Sequence, residues 1–303
     1  MRVYTHPACV AHDPGHGHPE CPARLEAVIQ ALREQAFPLD WQEAPEASRE
    51  ALARTHAPSL IATVLDTPLP EALRLDPDTV LSPASPEAAL RAAGAGVAAV
   101  DWAMAAPGRR AFCAVRPPGH HATGDTAMGF CLFNSIAVAA AHALAAHGLQ
   151  RVAIVDFDVH HGNGTQDIYA NDARVMYVSS HQSPLYPGTG RSDEHGVGNI
   201  ENLELPPGSG SGPFRAAWSE RLLPALDRHS PQLVLISAGF DAHRLDPLAD
   251  LNLEAADYAW LTTELAALAE RHARGRVVSM LEGGYSLTAL RDCTVAHVRA
   301  LAT

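Results

Sequence analysis

Asp156, Asp158 and His160 recur at every second residue of the run DFDVHHGNG (156–164). On an extended backbone that spacing turns all three side chains to one face. Two carboxylates and an imidazole on one face suit a divalent metal of the zinc type. A lone Asp after a strand commonly caps the next helix. Three such residues ahead of a Gly-Asn-Gly turn point to a metal instead. Catalytic zinc keeps three protein ligands and one open position, so Asp158 and His160 need a third partner. Asp241, in SAGFDAH (237–243), is the best-placed candidate, with the N-cap of a following turn as its other reading. His120 and His121 follow a rigid Pro-Pro-Gly. Two imidazoles held there suit general acid–base work near neutral pH; a second metal site or a surface pair are the alternatives. Tyr285, in LEGGYS (281–286), reads alone as a loop aromatic. At the edge of a metal site its hydroxyl would donate to a developing oxyanion.

Each of these clusters directly follows an apolar, β-branched run. The runs Ala111–Val115, Arg151–Val155, Arg174–Ser179, Leu233–Ser237 and Arg276–Leu281 predict strands. Their unbroken apolar character suits strands covered on both faces. Between them, helical periodicity predicts helices over His18–Gln35, Pro86–Ala105, Asn134–His147, Gly212–His229 and Leu253–Arg274. Gly148 stops the third of these. Alternating strands and helices imply a parallel α/β sheet, and in such sheets sites form beyond the carboxyl ends of the strands. Four separate segments therefore deliver polar groups to one edge. Long Pro/Gly-rich loops run through 116–129, 182–198 and 206–212; loops of that length are commonly functional. No repeat, linker or shift in composition divides the chain, so a single domain, 1–303, is expected.

The bulk numbers narrow the partners. Of 303 residues, 47% are hydrophobic and 18% charged, with a net charge of −12. No basic patch stands out, so no nucleic-acid partner is expected. The five cysteines, Cys9, Cys21, Cys113, Cys131 and Cys293, include no CxxC pair, which suits reduced thiols. There is no secretory h-region and no membrane-length apolar run, so a cytoplasmic location off the membrane is expected.

Taken together, RPPGHHA (116–122), GFCLFN (129–134), DFDVHHGNG (156–164), YPGTG (186–190), SAGFDAH (237–243), LEGGYS (281–286) and HPECPARL (18–25) resemble the histone deacetylase family. Asn163 and the SAGFD form place the likeness nearest the class II and bacterial histone deacetylase-like amidohydrolases. The resemblance implies the arginase/deacetylase fold, a three-layer αβα domain around a mainly parallel sheet of about eight strands. It implies Asp158, His160 and Asp241 as ligands of one Zn2+, with Fe2+ suited by the same donors. It implies His120 and His121 as the tandem histidines, with His121 the general base and acid. Asp156 would orient His120, and Asn163 would stand where other members carry a second carboxylate. Tyr285 would polarise the scissile carbonyl, and Arg24 would lie buried below the metal. Gly129, Phe130 and Tyr186 would line a substrate tunnel, with Asp78 at its rim. Leu248 stands where polyamine-preferring relatives often place a Glu. Asp156, Asp158, His160 and Ser179 match an inner monovalent-cation site, typically for K+, and Tyr169, Asp172 and Val175 an outer one.

The activity implied is hydrolysis of acetyl-lysine, or of a related N-acyl amine, in a peptide, protein or small molecule. An acetylpolyamine deacetylase on the same scaffold is the alternative. An arginase-like enzyme would need further carboxylates to bridge two metals. A catalytically dead acyl-lysine reader would have lost Tyr285, His121 or a ligand, and all are present.

Overall fold

Strands such as VAIVD and LVLISA have no polar face to offer water, so they need helices above and below them. A computed structural model describing residues 1–303 has that arrangement. Its strands are β1 (Arg2–Thr5), β2 (Asp40–Glu43), β3 (Leu73–Arg74), β4 (Val80–Leu81), β5 (Arg110–Cys113), β6 (Val152–Asp156), β7 (Val175–Gln182), β8 (Ile200–Leu205), β9 (Leu233–Ala238) and β10 (Val277–Leu281). Its helices are α1 (Pro7–Ala11), α2 (Pro22–Arg33), α3 (Arg49–Leu52), α4 (Pro58–Asp66), α5 (Ser85–Met104), α6 (Ser135–His147), α7 (Asn163–Tyr169), α8 (Ser211–Ala217), α9 (Leu223–His229), α10 (Ala255–His272) and α11 (Leu287–Ala302).

Eight strands form one sheet in the order β2-β1-β5-β10-β9-β6-β7-β8, and every neighbouring pair is parallel. β3 and β4 make a separate two-stranded ribbon. Helices α5 and α6 cover one face, and α2, α9, α10 and α11 the other. β6, β9 and β10 are buried along their whole length. This is the single-domain αβα architecture expected.

The sheet order also locates a crevice. β6 and β9 are neighbours, yet the chain leaves β6 toward β7 on one side and β9 toward β10 on the other. Loops that part in opposite directions leave a cleft beyond the carboxyl ends, the usual place for a site in an open α/β sheet. The residues just past β6 and β9 are Asp158, His160 and Asp241.

Several expected boundaries shift for identifiable reasons. The first long helix begins at Pro22, not His18, because Pro takes the first helical position and the preceding backbone is extended. The expected helix 212–229 is broken into α8 and α9 by a π-helical turn over Trp218–Leu222. Pro224 has no N–H to give the ladder, and the Leu223 N–H reaches back to Trp218 O. Helix α10 starts two residues late, because Glu254 and Asp257 form a reciprocal capping box. The strands β1, β2, β3, β4 and β8 and the helices α1, α3, α4, α7 and α11 lie outside the elements expected.

Candidate active site

Asp158, His160 and Asp241 meet at the β6/β9 crevice. All three are buried, and their ligand-type atoms lie within 4.8 Å of one another. His160 Nδ1 is 3.1 Å from Asp158 Oδ1 and 3.2 Å from Asp241 Oδ2. Backbone N–H groups hold the other carboxylate oxygens. Gly283 N donates to Asp158 Oδ2 at 2.8 Å, and Val159 N to Asp241 Oδ1 at 2.9 Å. One oxygen of each carboxylate thus stays aimed at the shared centre. A side chain at Gly283 would overlap both carboxylates, so a residue without Cβ is required there.

The charges ask for a cation. Burial raises the Asp241 pKa to about 7, with Asp158 adding to the rise. Burial opposes a charge on His160, but hydrogen bonds and charge from Asp158 and Asp241 outweigh it and push its pKa up to about 10. Two buried carboxylates this close are costly unless a positive charge lies between them. Oxygen and imidazole donors in this number fit zinc or ferrous iron.

Beside this centre stand the two histidines, with ring centroids 4.1 Å apart. Their loop is fastened from three sides. The buried Glu282 Oε2 accepts Gly119 N at 2.6 Å and His120 N at 3.2 Å. Asn134, the N-cap of α6, donates to Ala122 O at 3.1 Å. The buried Arg116 pairs with Glu20 and donates to Cys9 O at 2.9 Å and His12 O at 3.0 Å. Burial raises the Glu282 pKa to about 7.

The two imidazoles have opposite partners. His120 Nδ1 donates to Asp156 Oδ2 at 2.9 Å, and Tyr177 OH donates to the same oxygen at 3.1 Å. Burial works against a charge on His120, yet Asp156 and Asp158 raise its pKa well above the ordinary value. His121 Nδ1 instead faces the neutral Asn163 Oδ1 at 2.8 Å. Asn163 Nδ2 points to Met128 Sδ at 3.4 Å, so the oxygen must be the end that accepts. His121 therefore carries its proton on Nδ1 and keeps Nε2 as a free base. Burial and the neighbouring His120 and His160 lower its pKa well below the ordinary value.

A narrow cavity of about 220 Å³ leads to this pair. It is lined by Asp78, His121, Gly129, Phe130, His160, Leu185, Tyr186, Leu248 and Tyr285. Gly129 and Phe130 are the two central residues of a tight turn closed by the Met128–Cys131 bridge, with φ of 57° and 67°. Positive φ at both positions is the type I′ geometry. It is strained for Phe, and it brings the Phe130 ring to the cavity wall, 5.8 Å from the Tyr285 ring. Gly129 packs against the His121 ring so closely that any side chain would collide with it. Tyr186 stands opposite, its ring 5.2 Å from His121.

Tyr285 is held from below. Arg24 donates to Gly284 O and Glu282 O, both at 2.6 Å, and its guanidinium lies 4.8 Å from the Tyr285 ring centroid. Asp246 Oδ2 accepts Tyr285 N at 2.7 Å, and its Oδ1 accepts Leu248 N at 3.0 Å. Burial raises the Tyr285 pKa well above its ordinary value, so its hydroxyl keeps its proton.

All the expected site residues lie at or beside this centre except the outer cation set. Ser179 is the sheet partner of Asp156, with its Oγ 2.9 Å from His181 Nδ1. Asp78 lies at the cavity, as expected. Tyr169, Asp172 and Val175 differ from expectation: their carbonyls all bond the side chain of Asn199. No role was expected for Tyr177, Glu282 or Glu20. The structure turns Asp246 inward to backbone N–H groups. The only signal for Glu282 in the sequence was its place directly after a strand.

Residues 18–301 match the histone deacetylase domain family. The chain is 39% identical over 293 residues to "Histone deacetylase-like amidohydrolase" of Pseudomonas aeruginosa, covering 95% of this chain and 77% of that protein. It is 37% identical over 305 residues to human "Polyamine deacetylase HDAC10", covering 93% of this chain and 45% of that one. The crystal structure of the HDA15 HD domain superposes with a TM-score of 0.94 at 35% identity, over 99% of this chain and 87% of that one.

Proposed function

The chain belongs to the histone deacetylase family and is a hydrolase of that kind, and from that premise we propose that it uses one zinc ion to hydrolyse the amide of an acyl-lysine or a related N-acyl amine. The observation that carries the reading is the buried Asp158–His160–Asp241 triangle at the inner end of a cavity lined by His121 and Tyr285. Zinc held by those three residues would lower the pKa of a water molecule and polarise the acyl carbonyl.

The chain's own groups supply the rest. His121 Nε2 takes the proton of the attacking water, since its Nδ1 is already committed to Asn163. The water oxygen bonds to the acyl carbon, and the Tyr285 hydroxyl donates to the carbonyl oxygen as negative charge builds there. His121 then passes its proton to the leaving amine as the C–N bond breaks. His120, paired with Asp156, keeps a positive charge beside this exchange and discourages a second proton on His121. Phe130 and Tyr186 clasp a slim alkyl stem, which suits the four-carbon arm of lysine.

A monovalent cation, K+, belongs to the same reading. Asp156 and Ser179 are sheet partners, and the carbonyls of Asp158 and His160 accept no backbone N–H, which leaves oxygens to hold it. The polyamine alternative has less support: Leu248 lines the mouth, and the nearby Asp246 carboxylate is engaged by two backbone N–H groups. No helix is long and apolar enough to cross a membrane. All five cysteines are unpaired, four of them buried, which supports a reducing, cytoplasmic setting. Asp241→Ala tests the ligand set: metal analysis of the purified variant is expected to find zinc lost, and full occupancy would refute it.

A further inference from the structure

Three backbone carbonyls converge on one side chain at the turn between α7 and β7. Asn199 is buried, and its Nδ2 lies 2.7 Å from Tyr169 O, 2.8 Å from Val175 O and 3.1 Å from Asp172 O. Its Oδ1 accepts the Val197 N–H at 3.1 Å, which settles the end of the amide that carries the hydrogens. Tyr169, Asp172 and Val175 are the residues at which the family resemblance sets an outer monovalent cation. They do not fit one here. The amide nitrogen already sits where the three oxygens meet, and its two N–H donors would face any ion brought close.

We infer that Asn199 takes the place of the outer cation, so that the chain holds at most one monovalent ion, at the inner site. The amide does the structural work an ion would do there. It ties the end of α7 and the start of β7 to the turn just before β8, and Tyr177 N closes the tie by donating to Asn199 O at 2.9 Å. Two hydrogens serve three acceptors, so one bond is shared. A ligand built into the chain is not lost by mass action, so this corner of the fold does not depend on salt composition.

The test needs no enzymatic activity, so it stands apart from the hydrolytic reading. Protein exchanged from K+ into Rb+ is crystallised, and anomalous scattering locates the ion. The wild type is expected to show no Rb+ among the carbonyls of residues 169, 172 and 175. A peak there, with Asn199 swung aside, would overturn the inference. Rb+ missing from the inner site as well would support it, while removing the inner site proposed above. In parallel, Asn199→Asp keeps the size of the side chain but replaces its donors with a negative charge. In tetramethylammonium chloride it is expected to melt below wild type. K+ at a hundred times its Kd should then raise its Tm by roughly 5 °C more than it raises that of wild type. An equal K+ response in the two proteins would count against the inference. Should the variant not fold, the wild-type Rb+ map decides alone.

Discussion

His120 and His121 are adjacent, their rings tilted against each other, yet their partners differ by one functional group: the carboxylate of Asp156 and the amide of Asn163. Environments that push two neighbouring groups apart in pKa assign their roles. His121 must be unprotonated to act, so its lowered pKa moves the acid limb of kcat/KM to lower pH. Asn163→Asp puts a negative charge beside Nδ1, and a pH–rate profile should show that limb shifted upward by about 1–3 units. An unmoved limb would deny His121 the base's role. Tyr285→Phe removes one donor to the oxyanion and should lower kcat about 10²–10³-fold with zinc still bound; near-normal turnover with full metal content would contradict it. Asp158 and His160 were legible as candidate ligands because every-second-residue spacing has geometric content. For Asp241 two readings stayed open, since nothing local separates a ligand from an N-cap. Glu282, Asp246 and Tyr177 were illegible because their partners lie far away in sequence or are backbone N–H groups, which carry no residue signature.

At the scale of elements, the central strands were legible and the peripheral parts were not. β6, β9 and β10 are apolar throughout and cannot be mistaken, whereas β2, DWQE, lies at the sheet edge with no buried residue. The helix α11 had a readable signal that went unused: buried positions 289/290, 293/294, 297/298 and 301 recur at helical spacing. It carries His297, fully buried between Thr262 Oγ1 of α10 at 2.6 Å and Ser279 Oγ of β10 at 2.8 Å. Burial lowers its pKa to about 3. Below the ordinary histidine pKa the unfolded chain binds a proton that the folded chain refuses, so this group costs stability as pH falls from about 6.5 toward 3. Denaturant unfolding at pH 6.5 and pH 5 should therefore show wild type losing about 2 kcal/mol more than His297→Asn on acidification. Equal losses would mean that His297 is not held neutral.

For the whole molecule, the sheet order is what turns scattered motifs into a site. Four polar segments follow β5, β10, β9 and β6, which are consecutive in space although not in sequence. The parallel α/β class was legible from alternating patterns. The order was not, because a periodicity says nothing about which strands pair across long connections; the resemblance supplied the fold class, and the superposition with a TM-score of 0.94 agrees with that class. The most direct test of the account is acetate release from an acetyl-lysine peptide, measured on one preparation as purified, after chelation, and after zinc is returned. Release is expected in proportion to bound zinc, lost on chelation and restored to at least its starting rate at one zinc per chain. An unchanged rate in fully chelated protein would contradict it.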